Sequence, residues 1–108
     1  MTMITDIVRH SEYSEKAIER YLTECVREMG GICLKYTNPN RVGYPDRLVC
    51  LPGGRTAWVE LKSRGRKQTK IQVRRTEELT RLGFSVHILD CKADVNELIR
   101  RWEAEDGV

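Results

Sequence analysis

At 108 residues, 40% of them hydrophobic and 32% charged, the chain is sized for one globular domain with a single modest core. No apolar run approaches a membrane span, Met1–Arg9 lacks the apolar centre of a secretion signal, and Cys25, Cys33, Cys50 and Cys91 form no CxxC pair. Membrane, disulfide-stapled and structural-zinc classes are thereby disfavoured, and four reduced thiols fit a cytoplasmic setting.

In chain order, residues 1–10 read as an extended arm. Ser14 is placed to cap a helix on which Ile18, Tyr21, Leu22, Cys25, Val26 and Met29 recur at helical spacing, and Gly30-Gly31 ends it. Ile32–Tyr36 reads as a strand and Thr37–Tyr44 as a loop. Two strands at about 46–51 and 56–62 flank a Gly53-Gly54 turn, which predicts a hairpin. After a basic loop, Ser63–Lys67, a second helix runs from about Lys70 to Leu82, with Gly83 as its stop. Phe84–Leu89 is a strand, and Asp94 can cap a last helix carrying Val95, Leu98, Ile99 and Trp102, with 103–108 as a tail. The order α-β-β-β-α-β-α implies a mixed central sheet with helices on both faces, in one domain spanning 1–108.

The hairpin carries the chemistry. Its turn-distal ends lie side by side, so Asp46 and Glu60 converge, and Lys62 points to the same face as Glu60. Two hard carboxylates suit Mg²⁺, with Mn²⁺ as a substitute, and an ammonium beside them can polarise a water or hold a phosphate. The net charge of +3 is also uneven. Lys62 to Arg75 holds seven Lys/Arg and no acid, leaving the rest of the chain at −4. That segment, starting at the acidic cluster, points to nucleic acid, with Arg47, Arg64, Arg66, Lys67 and Lys70 as candidate phosphate contacts. On the first helix, Glu15 and Glu19 both border the apolar stripe. Glu15 lies further inside it and is preferred as a metal-facing acid, with Glu19 the alternative. Trp58, on the strand face of Glu60, reads as packing, and His10 and His87 are isolated.

These residues, in this order, resemble the PD-(D/E)XK nuclease superfamily, whose restriction-endonuclease-like core is αβββαβ, and within it the compact stand-alone VRR-NUC family of phages and prophages. The resemblance rests on Glu15, Gly43-Tyr44-Pro45-Asp46-Arg47, Val59-Glu60-Leu61-Lys62, Gln72 and the Leu79-to-Gly83 ending, and covers about Glu15 to Asp90. It implies a metal-dependent endodeoxyribonuclease in which Asp46, Glu60, the Leu61 carbonyl and the helix-one acid hold the metal. It also implies catalytic roles for Lys62 and Gln72, branched DNA such as a four-way junction as substrate, and action in the cytoplasm of a phage's host. A junction needs two cuts and this domain has one site, so a homodimer is expected, with the outer face of the first helix or the Val95–Trp102 helix as the contact. A restriction-like duplex nuclease and a catalytically silent DNA-binding module on the same fold are the alternatives.

Overall fold

The computed structural model describes residues 14–106. The expected arm at 1–10 lies outside them. Helix α1, Glu15–Glu28, is capped by Ser14, whose hydroxyl accepts the Ala17 N–H at 3.2 Å. It ends in a Schellman turn: Gly30 takes φ 85°, and the N–H groups of Gly30 and Gly31 close on Arg27 and Val26 carbonyls. A Cβ on Gly31 would stand 2.5 Å from the Cys50 carbonyl, so only glycine lets the helix end so close to the sheet.

Strands β1 (Ile32–Lys35), β2 (Arg47–Leu51) and β3 (Arg55–Leu61) form an antiparallel meander, with a short 3₁₀ turn at Pro52–Gly54. Helix α2 (Lys70–Arg81) crosses over, and β4 (Val86–Leu89) returns parallel to β3, giving the sheet order β1-β2-β3-β4. Helix α3, Lys92–Asp106, closes the described chain. The expected mixed sheet and element order are what the chain adopts.

Three boundaries differ from expectation. Strand β4 begins at Val86 rather than Phe84, because the Phe84 N–H bonds the Leu79 carbonyl as part of the α2 cap. Helix α3 starts two residues before Asp94, which lies in its first turn rather than at the cap. The same helix continues to Asp106, so the expected tail is helical as far as that residue.

One sheet face carries Val49, Leu51, Ala57, Val59, Leu61 and Leu89 against Ile18, Leu22 and Val26 of α1 and Val95, Leu98 and Trp102 of α3. Burying each large aliphatic side chain here contributes about 1.5–3 kcal/mol. The apolar stripe of α3 is committed to this core and is therefore closed to a partner subunit. Helix α2 lies over the opposite face, where Gln72 reaches Glu60. Among the described residues, all four cysteines are free thiols and no helix is long and apolar enough to cross a membrane.

Candidate active site

Register places the acids. Arg47 pairs with Val59, and continuing that ladder sets Asp46 across from Glu60 and Pro45 across from Leu61. Pro45 has no N–H, so it cannot bond the Leu61 carbonyl, and the Leu61 N–H goes instead to Asp46 Oδ1 at 3.2 Å. The Asp46 carbonyl faces the other way and accepts the Tyr36 N–H at 2.8 Å, which fixes Asp46 between β1 and β3. One proline thereby ends the ladder, aims a carboxylate and leaves a strand carbonyl without its usual donor.

Both acids carry an electrostatic load. Burial pushes the Asp46 carboxyl above the ordinary aspartate range, against the Leu61 N–H, which favours its ionised form. Glu60 is pushed up by burial and then by the charge of Asp46. Two desolvated carboxylates, one raised further by the charge of the other, are the donor chemistry that a divalent cation relieves.

Lys62 and Gln72 complete the cluster. Lys62 Nζ lies 3.2 Å from Glu60 Oε2 and donates to Gln72 Oε1 at 2.8 Å, while Gln72 Nε2 donates to the same Glu60 oxygen at 3.1 Å. Gln72 is also the N3 residue of a capping box. Its Oε1 accepts the Thr69 N–H at 2.9 Å, and the Thr69 hydroxyl accepts the Gln72 N–H at 3.3 Å. The start of α2 is thus tied to the end of β3 through one amide. The Thr69-Lys70-Ile71-Gln72 pattern carries that signal, beside the catalytic role that the family resemblance implies for Gln72.

The helix-one acids separate clearly. Glu15 is exposed at the first turn, whereas Glu19 pairs with Arg47 and lies close enough to Asp46 and Cys33 to raise both. On this geometry Glu19, rather than the preferred Glu15, is the helix-one acid that acts on Asp46. Arg47 changes as well. Expected as a surface phosphate contact, it is 8% exposed and engaged by Glu19. Arg64, Arg66, Lys67 and Lys70 are exposed along the loop and the first residue of α2, and the Gly65 N–H donates to Asp90 at 3.3 Å.

Beside the acids stands a group the sequence reading missed. Tyr36, Tyr44 and Trp58 cluster, with Tyr36 edge-on to Trp58 at 5.0 Å. The Tyr44 hydroxyl bonds Glu78, which also pairs with Arg41 and Arg75 at 3.2 Å, and these partners hold Glu78 well ionised. Only the Glu-Arg-Tyr residue types gave a signal, scattered over 38 positions of chain. His87 pairs with Val59 on β4, half-buried edge-on to Trp102, and burial pushes its pKa down.

No protein-family profile matches the chain. It is 46% identical over 76 residues to "Putative nuclease p44" of Acyrthosiphon pisum secondary endosymbiont phage 1, covering 70% of this chain and 82% of that protein. Its fold is similar to a solved structure described as "VRR_NUC domain", with TM-score 0.77 and 31% identity over 80% of this chain and 94% of that one. The chain therefore belongs to the VRR-NUC family of phage nucleases.

Proposed function

We propose that this nuclease is a divalent-metal-dependent endodeoxyribonuclease that cuts branched DNA, including four-way junctions, as a homodimer. The observation that carries the reading is the pair of partly buried carboxylates, Asp46 and Glu60, facing each other across β2 and β3 and both raised by burial, with Lys62 held against Glu60 at the end of the hairpin. Asp46, Glu60, the Leu61 carbonyl and Glu19 would hold Mg²⁺ or Mn²⁺. The donor set fits a hard cation, being all oxygen and including a carbonyl that Pro45 cannot occupy. When bound, the cation supplies charge at the phosphorus and a bound water of lowered pKa.

The chain's own groups do the rest. Lys62 Nζ, kept in place by Gln72, meets either the scissile phosphate or the attacking water. Lys62→Arg separates these roles, since arginine retains the charge and cannot serve as a base. Arg64, Arg66, Lys67 and Lys70 bind backbone phosphates leading to the acids. Branched DNA and the dimer rest on family likeness and on the two-fold symmetry of a junction.

A gel assay tests this. Mg²⁺- or Mn²⁺-dependent nicking of a synthetic four-way junction in preference to linear duplex, abolished in a folded Lys62→Ala protein, is expected. Cutting of linear duplex at a fixed sequence would favour a restriction-like enzyme. Binding without cutting in either metal would favour a catalytically silent module.

A further inference from the structure

We propose that the cleft in the loop leading from β1 to Asp46 receives one unpaired nucleobase of the strand entering the active site. The proposal rests on Asp46 and Glu60 as the cleavage centre and adds a substrate feature: a base outside the duplex stack beside the cut.

The cleft has a volume of about 380 Å³ and is lined by Tyr36, Thr37, Asn38, Arg41, Val42 and Tyr44, among others. That is within the range of sites that take small organic groups, roughly 300–1,000 Å³. It adjoins the acids through the backbone. Tyr36 N–H bonds the Asp46 carbonyl at 2.8 Å, and Tyr44 precedes Asp46 by two residues, about 7 Å of extended chain.

The walls are aromatic and set before any ligand arrives. Tyr36 and Tyr44 meet edge to face at 6.2 Å with planes 84° apart, so two π-surfaces form a corner. Asn38 Nδ2 donates to the Tyr36 hydroxyl at 3.1 Å, and Asn38 Oδ1 accepts the Asn40 and Arg41 N–H groups at 3.1 Å. Arg75 Nε donates to the Val42 carbonyl at 3.0 Å, tying the loop to α2. A Cβ at Gly43, whose φ is 97°, would come within 2.8 Å of the Ile71 side chain, so the loop seats directly on that helix.

The lining chemistry matches a base. Every nucleobase offers a π-face to a tyrosine ring, which makes such recognition tolerant of sequence. Guanidinium groups flank Tyr44, with Arg75 5.0 Å and Arg41 5.6 Å from its centroid; Arg41, held by Glu78 at 3.2 Å, can meet the phosphate of a base that stacks on Tyr36. Val42 is 61% exposed at the rim, where an apolar side chain suits a base edge more than water. A base still paired in duplex must leave the stack to enter, so substrates with unpaired nucleotides at the cut are favoured.

Abasic scanning of the substrate of the 108-residue chain tests this. A branched DNA with one unpaired arm is prepared with single abasic sites stepped across the cut, then assayed for cleavage in Mg²⁺ and, separately, for binding by anisotropy in Ca²⁺. One position is expected to lose about tenfold in both assays, as removal of one base–aromatic stack produces. Thr37→Phe, which fills the cleft from an exposed position, and Tyr36→Leu are each expected to abolish that difference and leave the abasic substrate's binding unchanged. A flat scan in both assays overturns the proposal, as does a penalty that persists in both variants. Discrimination in binding by a protein that cuts nothing retains the cleft and refutes the nuclease mechanism, so the two failures are distinguishable.

Discussion

Replacing Asp46 by asparagine isolates the charge of the site from its hydrogen bonds, because an amide oxygen can still accept the Leu61 N–H. Side chains facing each other across the strands have Cβ atoms about 5 Å apart, so the two carboxylates repel by about 3 kcal/mol at an effective dielectric of 20. Solvent reaches Asp46 and reduces this to roughly 1–2 kcal/mol. Both carboxyls are raised above their ordinary values, so their ionisation opposes folding. The contribution of this pair to the stability of the metal-free protein is therefore greatest below the unfolded carboxylate range and is lost as pH rises through the raised values. In EDTA at pH 7, Asp46→Asn should melt about 4–10 °C above the parent. Added Mn²⁺ at a hundred times its dissociation constant should stabilise the parent by about 2.7 kcal/mol, roughly 10 °C, and the variant far less. Melts followed by circular dichroism across a metal titration measure all four states. A variant less stable than the parent in EDTA, or equal metal shifts in both, would refute the reasoning.

Other substitutions probe the neighbouring contacts. Glu19→Gln should cost about 1–2 kcal/mol, below the 3–5 of a fully buried broken pair because Glu19 is 39% exposed, and should reduce cleavage strongly. Glu15→Gln should change neither melting nor rate, and the reverse ranking would restore Glu15 as the acid at the site. Gln72→Ala removes the bonds to Lys62 and Glu60 together with half of a capping box, so denaturant melts should show a loss of about 1–3 kcal/mol and gels a slower cut. Replacing Arg66, Lys67 and Lys70 by alanine should leave melting unchanged and flatten the salt dependence of duplex binding by nearly one unit of log–log slope per lost phosphate contact.

Much of this was legible in the chain because local signals agreed. Gly53-Gly54 between β-formers set the hairpin, and the hairpin set Asp46 against Glu60. The helical spacing of Ile18, Leu22 and Val26 located the core face of α1. Less legible were features that depend on where an element ends in space. The stripe angle favours Glu15 over Glu19, and only the position of Arg47 at the base of β2 draws Glu19 toward the site. Arg47 reads from the sequence as a phosphate contact on the second strand, and only the fold shows its side chain buried and turned to Glu19 of α1. The Phe84 backbone reads as strand because Ser85, Val86 and Ile88 continue the alternation, whereas its N–H is engaged by the α2 cap. The Glu78 network with Tyr44, Arg41 and Arg75 joins a loop to a helix over more than thirty residues, and no local rule brings such groups together.

Crystals soaked in Mn²⁺ and measured at its absorption edge test the metal site most directly. The expected anomalous peak lies between the Asp46 and Glu60 carboxylates, with the Leu61 carbonyl as a further ligand. A peak instead at Asp90, Cys91 and Asp94, whose donor atoms lie within 4.8 Å of one another, or no peak at saturating metal, would contradict it.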